Sequence, residues 1–434
     1  MSRYSRNSAP GVHINLNVRG LRPSATLAIN EKSNQLLRES RKVYKLGLGQ
    51  SPFPVPQTVV EALQRNAHQK DYLAVKGLWE LRESIAEFNN RMHRINCSAE
   101  DILIGPGSKE LIFILQLVYY GDLIIPTPSW VSYFPQARII GRHVNWVPTS
   151  ESENWRLSPE KLDLICRTDP DRPRIVILNY PSNPTGTTYK TERLRELAEV
   201  ARKYHVVLIS DEIYGMIHHQ GKHVSIARFY PEGTIISSGL SKWCGAGGWR
   251  LGTFTFPATL RWLQDAMSIV ASETYTATSA PIQYAAITAF KGGPEIDEYL
   301  LQTRRILRYI GRALSERLDR MQVIHPRPEG AFYLFPNFGH YREKLNEKGI
   351  YTSVEMCERL LEETGVAMLP GSDFGRQPEE LTARMAYVDF DGRAALAAAM
   401  HEFREKPLDN GFIQTHCHHL LEAFDRLGNW LEDL

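Results

Sequence analysis

The sequence lacks the features that mark secreted and membrane proteins. Its 434 residues include only five cysteines, odd in number and scattered along the chain. That pattern fits a reducing compartment better than a disulfide framework, so the cytoplasm is the expected location. No apolar run approaches the roughly twenty residues that a membrane-spanning helix needs, and no apolar signal core lies near the N-terminus. We therefore expect no membrane partner.

An excess of charge of either sign is also absent. Lysine and arginine number 51 against 49 aspartates and glutamates, a net charge of +2, which gives no electrostatic reason to expect a nucleic-acid partner. The first thirty residues contain Arg3, Arg6, Arg19 and Arg22 but no acid. A transit peptide has this composition, but a flexible N-terminal arm is the preferred interpretation. The chain contains no internal repeat and no low-complexity segment.

Short aliphatic runs alternate with amphipathic stretches between about residues 100 and 256. This alternation predicts an α/β fold, in which helices cover both faces of a mostly parallel sheet. A first helix is expected from Pro23 to about Arg41, with Ser24 as its cap. Beyond residue 290, a long helix from Pro294 to Met321 opens a predicted second domain. The predicted strands are 101–104, 123–126, 143–147, 174–178, 206–210 and 234–238.

One segment carries the most specific chemistry, SGLSKWCGAGGWR at 238–250. The amine of Lys242 can condense with an aldehyde, and pyridoxal 5′-phosphate is a cofactor whose aldehyde is held as such an imine. Arg250 offers a planar fork of donors for a phosphate dianion, and Ser241 adds a hydroxyl. The glycines between them let the backbone approach a ligand closely. The segment therefore predicts a Schiff-base lysine beside a phosphate site.

Two further segments offer partners for the ring of such a cofactor, and both follow predicted strands. A carboxylate at Asp211 can keep a pyridine nitrogen protonated, which makes the ring an electron sink. The proline-fixed turn at 179–186 can hold Asn183 against a ring hydroxyl, with Tyr214 as a second donor. Because active sites of parallel sheets form at the carboxyl ends of strands, these residues and Lys242 are expected to meet there.

Other residues complete the candidate site. Gly107, Ser108 and Lys109 lie at the start of an apolar helix, whose free backbone N–H groups can bind a phosphate. Trp130 can stack on an aromatic cofactor. Arg384 lies on a predicted strand, where an arginine is ordinarily unfavourable, and its guanidinium can pair with a substrate carboxylate.

With these residues assembled, the chain resembles the class I/II aminotransferases of the aspartate aminotransferase superfamily, which are fold type I enzymes dependent on pyridoxal phosphate. The resemblance runs from about residue 20 to about 405. It includes further family-like blocks at 328–333 and 370–375, and the segment at 20–29 is similar to the prokaryotic-type aspartate aminotransferase branch. Two departures touch the substrate mouth: residues 49–53 read GQSPF, and Gly247 stands where the family usually has threonine.

The resemblance implies a large cofactor-binding domain at residues 49–292, with a mostly parallel seven-stranded sheet between helices, and a small α+β domain at 293–407. Residues 1–20 would be the arm, and 21–48 a segment joining the small domain. Residues 408–434 would form a helical tail that matches no part of the family pattern. A homodimer with shared active sites is also implied.

The resemblance assigns roles to matched positions. Lys242 would form the Schiff base, Asp211 would pair with the ring nitrogen, and Asn183 and Tyr214 would donate to the ring oxygen. Lys109 is similar to a lysine that meets the side-chain carboxylate of a dicarboxylic substrate. The other implied cofactor-binding residues are Gly107, Ser108, Lys109, Trp130, Ser241, Arg250 and, from the second subunit, Tyr72. The implied substrate-binding residues are Gly49, Asn183, Lys109 and Arg384.

We therefore expect an aminotransferase that moves the amino group of an L-amino acid, with aspartate or glutamate as candidates, to a 2-oxo acid. Lys242 would move the proton from the substrate Cα to the cofactor, in a ping-pong reaction. The same residues also permit a pyridoxal-phosphate lyase or cyclase, and a non-catalytic regulator would need an added binding module. No metal is expected at the histidine runs 218–219 and 416–419, because consecutive residues point in different directions.

Overall fold

The computed structural model describes residues 13–21, 23 and 25–434. The predicted α/β fold is confirmed. The strands of the described residues are β1 Tyr44–Lys45, β2 Ile102–Gly105, β3 Asp122–Thr127, β4 Val144–Pro148, β5 Arg174–Asn179, β6 Val207–Asp211, β7 Thr234–Gly239, β8 Gly252–Thr255, β9 Tyr333–Leu334, β10 Val366–Ala367, β11 Leu369–Pro370 and β12 Ala383–Ala386.

The helices surround these strands and close the core. They are α1 Ala25–Arg38, α2 Gln57–Asn66, α3 Trp79–His93, α4 Ser108–Val118, α5 Tyr133–Ile139, α6 Pro159–Arg167, α7 Thr191–Lys203, α8 Arg261–Glu273, α9 Ala280–Lys291, α10 Pro294–Arg320, α11 Arg342–Glu347, α12 Ser353–Thr364, α13 Gly392–His401, α14 Asn410–His416 and α15 His418–Glu432. Within the described residues, no helix has both the length and the apolar content that crossing a membrane requires.

The large sheet has seven strands in the order β2-β8-β7-β6-β5-β3-β4. The five strands from β7 to β4 are parallel, whereas β8 is antiparallel to both of its neighbours. Strand β6 is buried along its whole length, as expected of a parallel strand that is covered by helices on both faces. The six strands predicted from the sequence are present, with ends that coincide with the prediction or differ by one residue, but β8 was not among them.

Two helices compare closely with their predictions. Helix α10 begins at Pro294, has acids in its first turn and ends with basic residues, which complements the helix dipole and explains its clear sequence signal. Helix α1 ends at Arg38, before the predicted Arg41, because Ser40 has a φ of 60° and leaves the helical conformation. The predicted cap Ser24 lies outside the described residues.

Smaller sheets form around the C-terminal half. Strands β1 and β10 pair in parallel, and β12 lies between β11 and β9 with antiparallel pairing. Helices α14 and α15 bury their apolar residues in the same core as α10, α12 and α13. The tail is therefore part of the packed structure. The domain boundaries at residues 20, 48, 292 and 407 stay predictions.

Candidate active site

The carboxyl ends of the parallel strands bring the predicted site residues together. Register pairs Asn179 with Asp211 and Asp211 with Ser237 across β5, β6 and β7. A cavity of about 480 Å³ opens at this edge. The sequence-predicted residues that line it are Gly49, Ser108, Lys109, Trp130, Asn183, Asp211, Tyr214, Ser241, Lys242, Arg250 and Arg384.

Lys242 follows strand β7 and points its amine into this cavity. Its Nζ donates to the carbonyl oxygen of Gly49 at 2.6 Å. Burial, reinforced by the positive charges of Arg384 and Arg250, lowers the pKa of Lys242 to about 8. A substantial fraction of the amine is therefore neutral near physiological pH, which a nucleophile or general base requires.

Asp211 ends strand β6 and is almost fully buried. Burial raises the pKa of its carboxyl group to about 6, although a hydrogen bond from Tyr133 opposes this shift. The Tyr133 hydroxyl donates to Oδ2 at 2.5 Å, and Ser237 donates to Oδ1 at 3.3 Å. A carboxylate in such a place is stabilised by a cationic partner in the cavity, as a protonated ring nitrogen would be.

Asn183 and Arg384 are joined at the other side of the cavity. The Nη1 of Arg384 donates to the Asn183 Oδ1 at 3.1 Å, and its Nη2 donates to the carbonyl oxygen of Gly47 at 2.5 Å. Asn179 accepts the backbone N–H of Asn183 at 2.7 Å and so fixes the turn. The buried Nε of Arg384 has no hydrogen-bond partner in the described part of the chain, so the guanidinium retains a donor for an anionic ligand.

One end of the cavity is formed by the start of helix α4 and by Arg250. Gly107 caps α4 with a φ of 96°, and a Cβ there would lie 2.3 Å from the Arg250 Nη2. Gly252 on β8 is equally constrained, because its Cβ would lie 2.1 Å from the Ser108 backbone nitrogen. These glycines let strand, helix start and arginine approach closely enough to form one cradle.

Lys109 and Trp130 lie next to this cradle. The Lys109 Nζ is 5.4 Å from the centroid of the Trp130 ring, within cation–π range. Burial and the nearby charge of Arg250 lower the pKa of Lys109. The ammonium group is thus destabilised until an anion enters the cavity. The Trp130 ring is perpendicular to Tyr133, at 5.2 Å between centroids.

The structure does not bring every predicted residue to this cavity. Tyr72 is 92 % exposed and does not line it, so its role in the site of a second subunit stays a prediction. Gly49 lines the cavity, but the contact seen is its carbonyl oxygen accepting from Lys242. A Cβ at Gly49 would lie 2.1 Å from the Tyr333 hydroxyl, so only glycine fits there without a shift.

Two buried tyrosines belong to the site and were missed from the sequence. Tyr133 bonds Asp211, and the Tyr333 hydroxyl lies 2.7 Å from that of Tyr214. Both stood in segments already singled out, next to Trp130 and in the block at 328–333. Their partners are 78 and 119 residues away, and no local pattern pairs residues across such distances.

A buried cluster of polar residues surrounds Glu212, the residue that follows Asp211. Glu212 Oε2 accepts a hydrogen bond from His223 at 2.6 Å and lies 3.6 Å from His93 Nδ1, while Ser225 and Ser210 donate to Oε1. Burial opposes ionisation, but the charges of His223 and His93 lower the pKa of Glu212 to about 2.

Three of these residues, His93, Glu212 and His223, form a candidate metal-ligand group, with ligand atoms within 4.8 Å of one another. The His223–Glu212 distance is that of a hydrogen bond, so we interpret the group as a support for the backbone beside Asp211. The histidine runs at 218–219 and 416–419 do not contribute to it.

Comparisons with known proteins identify the family of the chain. Residues 41–406 match the family described as aminotransferase class I and II. An aspartate aminotransferase of Geobacillus stearothermophilus is 35 % identical over 406 residues, covering 89 % of this chain and 98 % of the relative. An asparagine–oxo-acid transaminase of Streptococcus mutans is 31 % identical, covering 84 % and 92 %. The solved structure of aspartate aminotransferase from Thermus thermophilus with maleate superposes with a TM-score of 0.82 at 28 % identity, covering 96 % of this chain and all of that one.

Proposed function

The chain belongs to the class I and II aminotransferase family, and on that premise we propose that it transfers the amino group of a dicarboxylic amino acid, aspartate or glutamate, to a 2-oxo acid. The observation that carries this proposal is the cation Lys109 in the cavity. Two relatives are named for aspartate and for asparagine, which supports a donor of this size.

The enzyme is a pyridoxal-phosphate-dependent aminotransferase. The residues present fit the cofactor: a buried carboxylate at Asp211, a lysine of lowered pKa at position 242, and an anion cradle whose glycines leave no room for a Cβ. When bound, the cofactor supplies an electron sink that stabilises negative charge at the substrate Cα.

The chain's own residues would divide the remaining work. Arg250, Ser108, Ser241 and the start of α4 would hold the phosphate. Asp211, braced by Tyr133, would keep the ring nitrogen protonated. The Lys242 amine would take the proton from the substrate Cα and deliver it to the C4′ carbon of the cofactor, since its pKa of about 8 suits a general base near neutrality.

The charges that line the cavity support a second carboxylate on the substrate. Four cations, Lys109, Lys242, Arg250 and Arg384, line it, and Asp211 is the one acid among its described lining residues. If Arg250 serves the phosphate and Arg384 the α-carboxylate, Lys109 is left without a counterion. A carboxylate on the substrate side chain would supply this counterion and so offset the free-energy cost of burying the Lys109 charge.

We also propose that the active enzyme is a homodimer, to which Tyr72 of each subunit contributes. Its 92 % exposure leaves the ring accessible to a partner subunit. The five cysteines are free thiols, which is consistent with the proposed cytoplasmic location.

A half-reaction identifies the donor. The holoenzyme is incubated with one amino acid at a time and no oxo acid, and the oxo acid released per subunit is counted. We expect about one equivalent from aspartate or glutamate, and a rate at least about tenfold lower from alanine, because a charged contact is worth roughly that factor. Faster release from alanine would refute the acidic donor, and ammonia production would indicate a lyase.

A further inference from the structure

The C-terminal helix α15 lies against the segment that leads into the active site. The ring of His419 is 4.7 Å from the ring of Tyr44, between centroids, and Lys42 Nζ is 2.5 Å from Glu422. The family match ends at residue 406, so these contacts come from a part of the chain that lies beyond the matched region. Through these contacts the tail packs against β1, which lies a few residues before Gly49 in the lining of the cavity.

One oxygen of the Asp389 carboxylate accepts hydrogen bonds both from the tail and from strand β1. Asp389 Oδ2 accepts the backbone N–H of Lys45 at 2.7 Å and the Nδ1–H of His419 at 2.9 Å. Asp389 follows Arg384 by five residues. The two donors therefore fix the carboxylate between the tail and the segment 45–49.

That segment carries acceptors for two of the four cations that line the cavity, Arg384 and Lys242. The carbonyl of Leu46 accepts from the Ala386 backbone N–H at 2.7 Å. The carbonyl of Gly47 accepts from Arg384 at 2.5 Å, and the carbonyl of Gly49 accepts from Lys242 at 2.6 Å. These three carbonyls belong to residues that follow Lys45 closely in the chain, so a displacement of Lys45 changes their positions.

We propose that His419 is a positioning residue for substrate binding. By donating to Asp389, it keeps the carboxylate aimed at the Lys45 N–H, and so holds the carbonyl of Gly47 that orients Arg384 toward the α-carboxylate. Both side chains are only partly exposed, at 31 % for His419 and 22 % for Asp389. Without His419, water competes for Asp389, and the segment 45–49 gains freedom.

The inference rests on the proposed role of Arg384, so the test begins there. In the holoenzyme, Arg384→Lys should raise the KM of the best donor and of its oxo-acid acceptor, because lysine cannot reproduce the planar fork. An unchanged KM in Arg384→Lys would refute that role, whatever the donor proves to be. The role of His419 itself is tested separately, by variants in the C-terminal tail.

Three tail variants isolate the hydrogen bond. His419→Ala should raise the KM of donor and acceptor about fivefold, the worth of one ordinary hydrogen bond, while kcat stays within about twofold and cofactor affinity is unchanged. His419→Asn should restore the wild-type KM, because its amide can donate near the position of Nδ1. The matched control His418→Ala should leave KM within about twofold, since His418 is exposed and its ring meets that of His419 only at 6.4 Å between centroids.

A double-mutant cycle gives an independent measurement. Asp389→Asn should raise KM in the same direction, and the double variant with His419→Ala should be no worse than the more severe single variant. A wild-type KM in His419→Ala, equal defects in the Ala and Asn variants, or additive losses in the cycle would overturn the proposal. If His419→Ala is not obtained folded, the Asn rescue and Asp389→Asn still decide it.

Discussion

Replacement of Lys109 by methionine tests the substrate assignment most directly. Methionine has nearly the length of lysine and removes the charge, and the backbone contact in which Gln136 Nε2 donates to the Lys109 carbonyl at 2.7 Å is retained. The side chain also keeps an apolar stem beside Trp130, whose ring lies 5.4 Å from the lysine Nζ. The change is therefore expected to be electrostatic, with little effect on packing.

The size of the effect follows from the environment of the amine. A hydrogen bond to a charged group contributes about 1.5–3 kcal/mol, which corresponds to a loss of roughly 10- to 150-fold in kcat/KM for aspartate. For alanine, which has no side-chain carboxylate, we expect a change within about twofold. Because burial lowers the pKa of Lys109, removal of its charge should not decrease the stability of the fold.

The assay compares kcat/KM for aspartate and alanine in the wild type, in Lys109→Met and in Lys190→Met. Lys190 is an exposed lysine at the N-terminus of α7, so it controls for general loss of positive charge. Equal losses for aspartate and alanine would refute the acidic-substrate assignment. If those equal losses accompany weaker cofactor binding, Lys109 serves the phosphate, which the sequence also allowed.

Three further predictions concern the cofactor site. Asp211→Asn should lower kcat at least about 100-fold, because the electron sink loses its charged partner, and single-turnover rates with a saturating donor would measure this; an unchanged rate would contradict the assignment. Gly252→Ala should weaken cofactor binding in a spectroscopic titration, since its Cβ would lie 2.1 Å from the backbone nitrogen of Ser108. The control Gly247→Ala should not weaken it, because a Cβ at that position meets only a carbonyl oxygen at 3.5 Å. In the cofactor-free protein, the pKa of Lys242 is about 8, below its ordinary 10.5. Between these pH values the unfolded chain binds more protons than the folded chain, so the free energy of unfolding in urea should rise with pH. A profile that is flat or falling in the wild type relative to Lys242→Met would refute the shift.

The parallel part of the sheet was predictable because four of its five strands, β3, β5, β6 and β7, are short and contain an aliphatic run. Strand β6 reads VLISD and is buried throughout, so its composition alone identified it. Strand β8 was not predicted, because GTFT at 252–255 is only four residues long and has no aliphatic run, although its threonines alternate with phenylalanine. Only its pairing between β2 and β7 makes it a strand.

In the candidate site, too, some features could be predicted from the sequence and others could not. Residues at strand ends and helix starts, such as Asp211 and Lys242, could be predicted because the topology itself places them at one edge of the sheet. The contact of the Gly49 carbonyl with Lys242 joins residues 193 positions apart, and that of Arg384 with Asn183 joins residues 201 apart. Such contacts depend on how the C-terminal part of the chain packs on the sheet, and no local signal reports that packing.

This distinction explains why the two halves of the site depend on different parts of the chain. The cofactor half is built from consecutive strand ends of one sheet, so its geometry is set by strand register and by glycines that allow close approach. In the substrate half, Arg384 comes from β12, and its acceptor at Gly47 lies in a segment that β12 and Asp389 hold. A change far from the cavity that loosens this segment should therefore alter KM before it alters cofactor binding. Changes in the strand register of β5 to β7 should affect cofactor binding first.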